Sequence, residues 1–194
     1  MMASLERAFE FDIRSRREPK GRLPAAGVAV EPSDVQPGLI YEKDSLKVTA
    51  FAVDHRPATP AYGYRIDYRG RSAVFSGATR RSETLVEQAR GVDVLVHEVV
   101  SPEVERRRAQ VDPAAIEWII SQHTTAEDAG RIFARARPRL AVYSHIVLPP
   151  ATSADVIPPT RKAYKGRLAV GHDLMMIAVG EQIRVATRRT LRDR

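Results

Sequence analysis

Residues 92–98 read Val92-Asp93-Val94-Leu95-Val96-His97-Glu98. Valine at three of the first five positions makes 92–96 a buried strand. An imidazole and a carboxylate follow at its end. Just upstream, 82–90 reads as a short helix, with Ser82 as N-cap and Gly91 as its stop. Before it, 62–68 and 72–75 form a hairpin around Arg69-Gly70-Arg71, and 46–53 reads as a further strand. Downstream, a helix over 113–121 starts with Pro113 behind Asp112. A second helix covers 125–136, with Thr124 and Glu127 at capping-box spacing and Pro138 ending it. Residues 140–143 form a strand. Pro149, Pro150, Pro158 and Pro159 mark a loop-rich crossover. Residues 168–170, 174–179 and 183–186 read as closing strands. Antiparallel strands followed by strand–helix alternation predict a layered α/β (α+β) domain with a mixed sheet and flanking helices.

The ends of the chain differ from this middle. Residues 3–11 read as a short helix, 14–24 is basic and broken by Pro19, Gly21 and Pro24, and Pro32, Pro37 and Gly38 interrupt the next stretch. The expected division is therefore 1–38 as an irregular connecting segment with a short N-terminal helix, 39–186 as the domain, and 187–194 as a basic tail. The 194 residues carry a net charge of +7. Residues 184–194 hold +4 of it and 1–24 hold +2, so the excess is terminal rather than a broad groove. No Phe, Tyr or Trp follows Tyr164, which argues against a nucleic-acid stacking platform there. Apolar residues make up 43%, enough for a core. The absence of cysteine removes disulfides and thiolate metal sites. With no apolar signal core and no run long enough to span a bilayer, the expected location is cytoplasmic, with no membrane partner.

The polar residues gather at strand ends. His55 follows 46–53, Ser76-Gly77-Ala78-Thr79 follows 72–75, His97-Glu98 follows 92–96, and Ser144-His145 follows 140–143. His123 precedes a helix, and His172 sits in the turn Gly171-His172-Asp173. In α/β folds such edges collect ligands and catalytic groups. Several imidazoles beside a carboxylate point to a zinc or di-metal hydrolase. A satisfied surface or core histidine is the competing reading at each position. Trp118, with Ile116, Ile119 and Ile120, reads as the core face of its helix.

Five ordered stretches carry a resemblance. They are Val53-Asp54-His55 with Tyr62-Gly63-Tyr64-Arg65-Ile66, Phe75-Ser76-Gly77-Ala78-Thr79-Arg80, Val92 through Glu98 as quoted above, His123-Thr124-Thr125, and Tyr143-Ser144-His145. Together they resemble the metallo-β-lactamase-fold hydrolases, in the branch that looks like ribonuclease Z. The resemblance implies an αββα sandwich, two zinc ions, and hydrolysis of a phosphoester or related ester by a zinc-activated hydroxide. By position it makes His55 and His145 zinc ligands. It makes His123 the proton donor to the leaving group, and Glu98 the carboxylate that orients His123.

Three departures qualify those expectations. No two histidines lie two apart, so the family's HxHxDH motif is absent and the chain reads as the C-terminal half of the fold. Ala78 stands where the family usually has the aspartate that bridges its metals, and alanine cannot coordinate. Between Ile66 and Phe75 there is room only for a tight hairpin, not for the arm that grips tRNA. A small-molecule or phosphoester substrate is thus favoured over tRNA, with impaired turnover. A non-catalytic half-domain that docks on a partner chain is the alternative. An uncovered sheet face predicts self-association or a complementing partner half.

Overall fold

The computed structural model describes residues 4, 7–17, 27, 32–147 and 151–186. The expected basic tail at 187–194 lies outside the described residues. The chain divides into two compact units, Met1–Val35 and Gln36–Arg194. In the first, the described residues 4, 7 and 8 are helical within the expected 3–11, and after a turn at Phe9 helix α1 spans Glu10–Arg17. Its first turn carries Glu10 and Asp12, which suit a helix N-terminus. Arg14 reaches back one turn to Glu10, 2.6 Å away. Arg14 and Arg17 are thus helical, while Pro19, Gly21 and Pro24 lie outside the described residues.

In the second unit seven strands lie side by side in sequence order. They are β1 (Gly38–Lys43), β2 (Leu46–Ala52), β3 (Tyr62–Tyr68), β4 (Arg71–Phe75), β5 (Val94–Val99), β6 (Leu140–Ile146) and β7 (Leu168–Val170). The first four are antiparallel, with two-residue turns after β1 and β3 and a longer loop, 53–61, between β2 and β3; from β4 to β7 the pairing is parallel. Parallel neighbours need crossovers, and helices supply them: α2 (Glu83–Gln88), then α3 (Pro102–Arg106), α4 (Pro113–Gln122) and α5 (Ala126–Ala136), then α6 (Ser153–Ala163). A separate antiparallel pair, β8 (Met176–Val179) and β9 (Ile183–Ala186), completes the unit. The mixed sheet with flanking helices is as expected. The closing strands are not one group, because β7 joins the large sheet and β8 with β9 does not.

One sheet face is sealed. Phe51, Val74, Leu95, Val99 and Tyr143 pack against Leu85 of α2, Ile132 and Phe133 of α5, and Val156 of α6. Gly130 allows α5 to approach α6, since a Cβ there would stand 2.6 Å from the Thr160 carbonyl oxygen. Tyr143 donates to Thr160 Oγ1 at 2.5 Å, and that hydroxyl donates to Val156 O at 2.6 Å. The opposite face is covered in part. Ile177, Val179 and Ile183 lie over Val94, Leu140 and Val142. Arg139 holds this hairpin by donating to Gly180 O and Glu181 O, and Arg167 by donating to Ile183 O.

Several sequence expectations change for physical reasons. Strand β5 continues through His97 and Glu98 to Val99, and β6 through Ser144 and His145 to Ile146, because each pairs with the other to the end. The α5 cap is Thr125, whose hydroxyl accepts Asp128 N. Thr124 instead donates its hydroxyl to Thr79 O. Helix α6 takes in Pro158 and Pro159 of the expected proline-rich loop, whereas Pro149 and Pro150 lie outside the described residues. Asp155 accepts both the N–H and the hydroxyl of Thr152 at its start, and packing against α5 overrides the missing N–H groups of Pro158 and Pro159. Trp118 is 56% exposed, so only Ile116 of its group is fully buried. Among the described residues, no helix is long and apolar enough to cross a membrane.

Candidate functional site

Strands β2, β4, β5 and β6 run in one direction, so their C-terminal ends share an edge. His55 follows β2, Ser76 follows β4, Glu98 lies near the end of β5, and His145 near the end of β6. His123 caps the C-terminus of α4 and precedes α5. The structure therefore brings His55, His123, His145 and Glu98 to one edge. The His55 and His123 ring centroids are 5.2 Å apart, and those of His123 and His145 5.6 Å.

Glu98 is the organising residue. Its side chain is fully buried. Oε2 accepts from His123 Nδ1 at 2.9 Å, and Oε1 accepts from Thr124 N at 2.6 Å. Both oxygens thus serve adjacent residues of one turn. With Nδ1 held as the donor, the His123 ring keeps Nε2 as its free nitrogen. The Glu98 backbone is pinned in turn, its N–H donating to Ser76 Oγ at 3.1 Å. His55 Nδ1 lies 3.0 Å from Gln122 O, a carbonyl that can only accept, so His55 too keeps Nε2 free. His97 points the other way. It is fully buried, its Nδ1 donates to Glu98 O at 2.6 Å, and its ring stands edge-on to Phe133 at 5.8 Å. Burial pushes its imidazole below the usual value, so it is held neutral.

The wall opposite is bare. A recess of about 220 Å³ is lined by Ser76, Gly77, Ala78, Glu98, Ser144 and His145, among others. Gly77 has φ +64°, and a Cβ there would meet Tyr62 O at 2.6 Å. A second recess of about 410 Å³ shares Ser144 and His145 and extends to His172, Asp173, Met175 and Ile177. His172 is exposed and donates Nδ1 to Asp173 O at 3.0 Å.

A family profile described as the β-lactamase superfamily domain matches residues 1–146. The chain belongs to the β-lactamase superfamily. Within it, ribonuclease Z of Mycobacterium avium (strain 104) is 30% identical over 183 residues, which cover 92% of this chain and 63% of that protein. Ribonuclease Z of Mycobacterium tuberculosis (strain ATCC 25618 / H37Rv) is 28% identical over 152 residues, covering 77% of this chain and 55% of that one. The chain thus spans somewhat more than half the length of these curated relatives. Among solved structures, the metallo-β-lactamase fold protein YhfI from Bacillus subtilis aligns with a TM-score of 0.55 at 16% identity, over 71% of this chain and 51% of that one. Human tRNase Z, short form, aligns with a TM-score of 0.50 at 19% identity, over 73% and 46%. These likenesses support a ribonuclease Z-like metallo-β-lactamase fold and, with it, a metal-dependent hydrolase framework.

The superfamily implies a metal, and the donors among the described residues do not fit one by themselves. Among the described residues, no group of three His, Cys, Asp or Glu side chains is placed to hold an ion. Catalytic sites use three protein ligands and a water. Ala78 borders the recess with no donor atom. Asp54, beside His55, is engaged elsewhere: Arg56 grips it through Nε at 2.9 Å and Nη2 at 2.6 Å. That bidentate pair holds the Asp54 carboxyl far below the usual carboxylate range. Sequence reasoning missed Gln122, which positions His55, and gave Ser76 only a place at a strand end without its role of pinning Glu98. The signal available for Gln122 was adjacency to His123; for Ser76 it was its place directly after β4.

Proposed function

We propose that this chain carries the proton-transfer side of a zinc-dependent phosphodiester hydrolase, with His123 as general acid and Glu98 as the carboxylate that orients it. The carrying observation is the buried Glu98, which grips both His123 Nδ1 and Thr124 N. An alkoxide leaving from phosphorus needs a proton, and a ring fixed at one nitrogen can deliver it from the other. His55 and His145 are the proposed metal ligands. Their number is too small for firm binding, so turnover is impaired, through both the missing HxHxDH motif and Ala78. The relatives named ribonuclease Z support a phosphodiester as the substrate class. The tight turn at Arg69-Gly70 between β3 and β4 disfavours precursor tRNA.

A second reading, a non-catalytic half that docks on a partner chain, is favoured by the aromatic residues left open on the large sheet, Phe75 at 41% exposure and Tyr68 at 44%. One experiment separates the two. Chelator-sensitive hydrolysis is measured with supplied zinc for the chain, for Ala78→Asp, and for Ala78→Asp with His123→Ala. The substrates are a diribonucleotide, whose leaving group is a poor one, and bis(p-nitrophenyl) phosphate, whose leaving group is good. Ala78→Asp is expected to raise turnover at least ~10-fold. Adding His123→Ala is expected to cost about 100-fold on the diribonucleotide and much less on the nitrophenyl ester. Equal losses on both substrates would remove His123 as the acid. No turnover in any variant would favour the docking half.

A further inference from the structure

Arg80 lies outside the four residues assigned above, yet it touches every segment that carries His55. Its main-chain N–H donates to Asp54 O at 2.7 Å. Its Nη2 donates to Arg56 O at 3.0 Å and to Gln122 Oε1 at 3.1 Å. The two main-chain carbonyls flank His55 in sequence. The third acceptor belongs to the residue whose own carbonyl receives His55 Nδ1. The Gln122 amide is held at its other end as well, where Nε2 donates to Ser121 Oγ at 2.8 Å and to Trp118 O at 3.3 Å. Gln122 is buried, and Arg80 Nε is buried without a partner. Arg80 as a whole is half-buried, and a cation serving only solubility would not bury its Nε in this way.

We propose that Arg80 is a positioning residue: its guanidinium locks the Gln122 side chain against the His55 loop, so that Gln122 O holds the His55 ring with Nε2 free at the site. The parallel link through Thr79, whose hydroxyl donates to Asp54 O and whose carbonyl accepts from Thr124 Oγ1, fixes the loop on the Asp54 side only. Arg80 acts on the side of the ring. The inference deepens the proposed function by naming what orients His55. It does not depend on turnover.

The test is long-range ¹H–¹⁵N NMR of the imidazoles in metal-free protein, well above the usual imidazole titration range. In the wild type, His55 is expected as the Nδ1–H tautomer. In Arg80→Met, at least half of that population is expected to pass to the Nε2–H tautomer that an unrestrained histidine side chain prefers. His123, held by Glu98, should not change and serves as the internal control. Arg80→Lys should restore part of the wild-type signal. Gln122→Met removes the same bond from the other end and should reproduce the shift, which keeps the test valid if Arg80→Met folds poorly. An unchanged His55 tautomer in either folded variant would overturn the proposal. Absence of hydrolytic activity in the wild type would bear only on the proposed function and would leave this result standing.

Discussion

The two walls of the site are built differently. On the His123 wall, Glu98, Thr124, Gln122 and His55 are joined by hydrogen bonds of 2.6 to 3.0 Å, one of them buried and two half-buried. On the other wall, Ser144 and His145 are exposed, Ala78 offers no polar side chain, and an open recess lies between them. The contrast separates two tasks. Holding an imidazole in one tautomer needs an acceptor already in place, and this chain supplies it. Holding an ion needs several donors converging on a point, and the described residues do not supply them.

That comparison breaks most clearly at Glu98. Replacing it with alanine leaves a buried N–H at Thr124 and an unanchored His123 ring, at a cost of about 3 kcal/mol. Urea unfolding would read it; a loss well under ~1 kcal/mol would mean that the wall is not locked. A smaller effect comes from pH. His97 lies beneath the same wall with its pKa pushed down by burial, whereas the unfolded chain takes up its proton near 6.5. The unfolded state then binds more protons, so stability falls as pH drops below that value and is flat above it. The slope contributed by this residue is at most about 1.4 kcal/mol per pH unit. Stability measured against pH should lose that slope in His97→Leu; an unchanged slope would assign the pH dependence elsewhere. The smallest effect belongs to the bare wall. Ser144→Ala should change stability by no more than about 0.5 kcal/mol. A loss above ~1 kcal/mol in the same titration would show that this wall is packed after all.

Much of the framework was legible because periodicity and punctuation agree in it. The β3 and β4 hairpin, the Ser82 cap and Asp112 before Pro113 all appear where local chemistry puts them. What was not legible depends on distant neighbours. Strands β5 and β6 outrun their apolar cores because each finds a ladder partner in the other through Val99 and Ile146. Pro158 and Pro159 enter a helix because Gly130 lets α5 approach it. In the site, His55, His123, Glu98 and His145 were visible as polar residues beside apolar strands or helix starts. The role of Arg80 was not, since an arginine after a strand has no local signature of the three carbonyl-type oxygens it grips. Trp118 misled for the opposite reason, its apolar surroundings in sequence not being its surroundings in space.

Alternation along β5 sends Leu95, His97 and Val99 toward the helices and Val96 and Glu98 the other way. Two ionisable neighbours with opposite requirements therefore depend on a parity. Deleting or inserting one residue between Val92 and Leu95 would exchange them, placing the carboxylate against Phe133 and the imidazole at the edge. Length variation in this segment should accordingly be tolerated in steps of two residues and never of one.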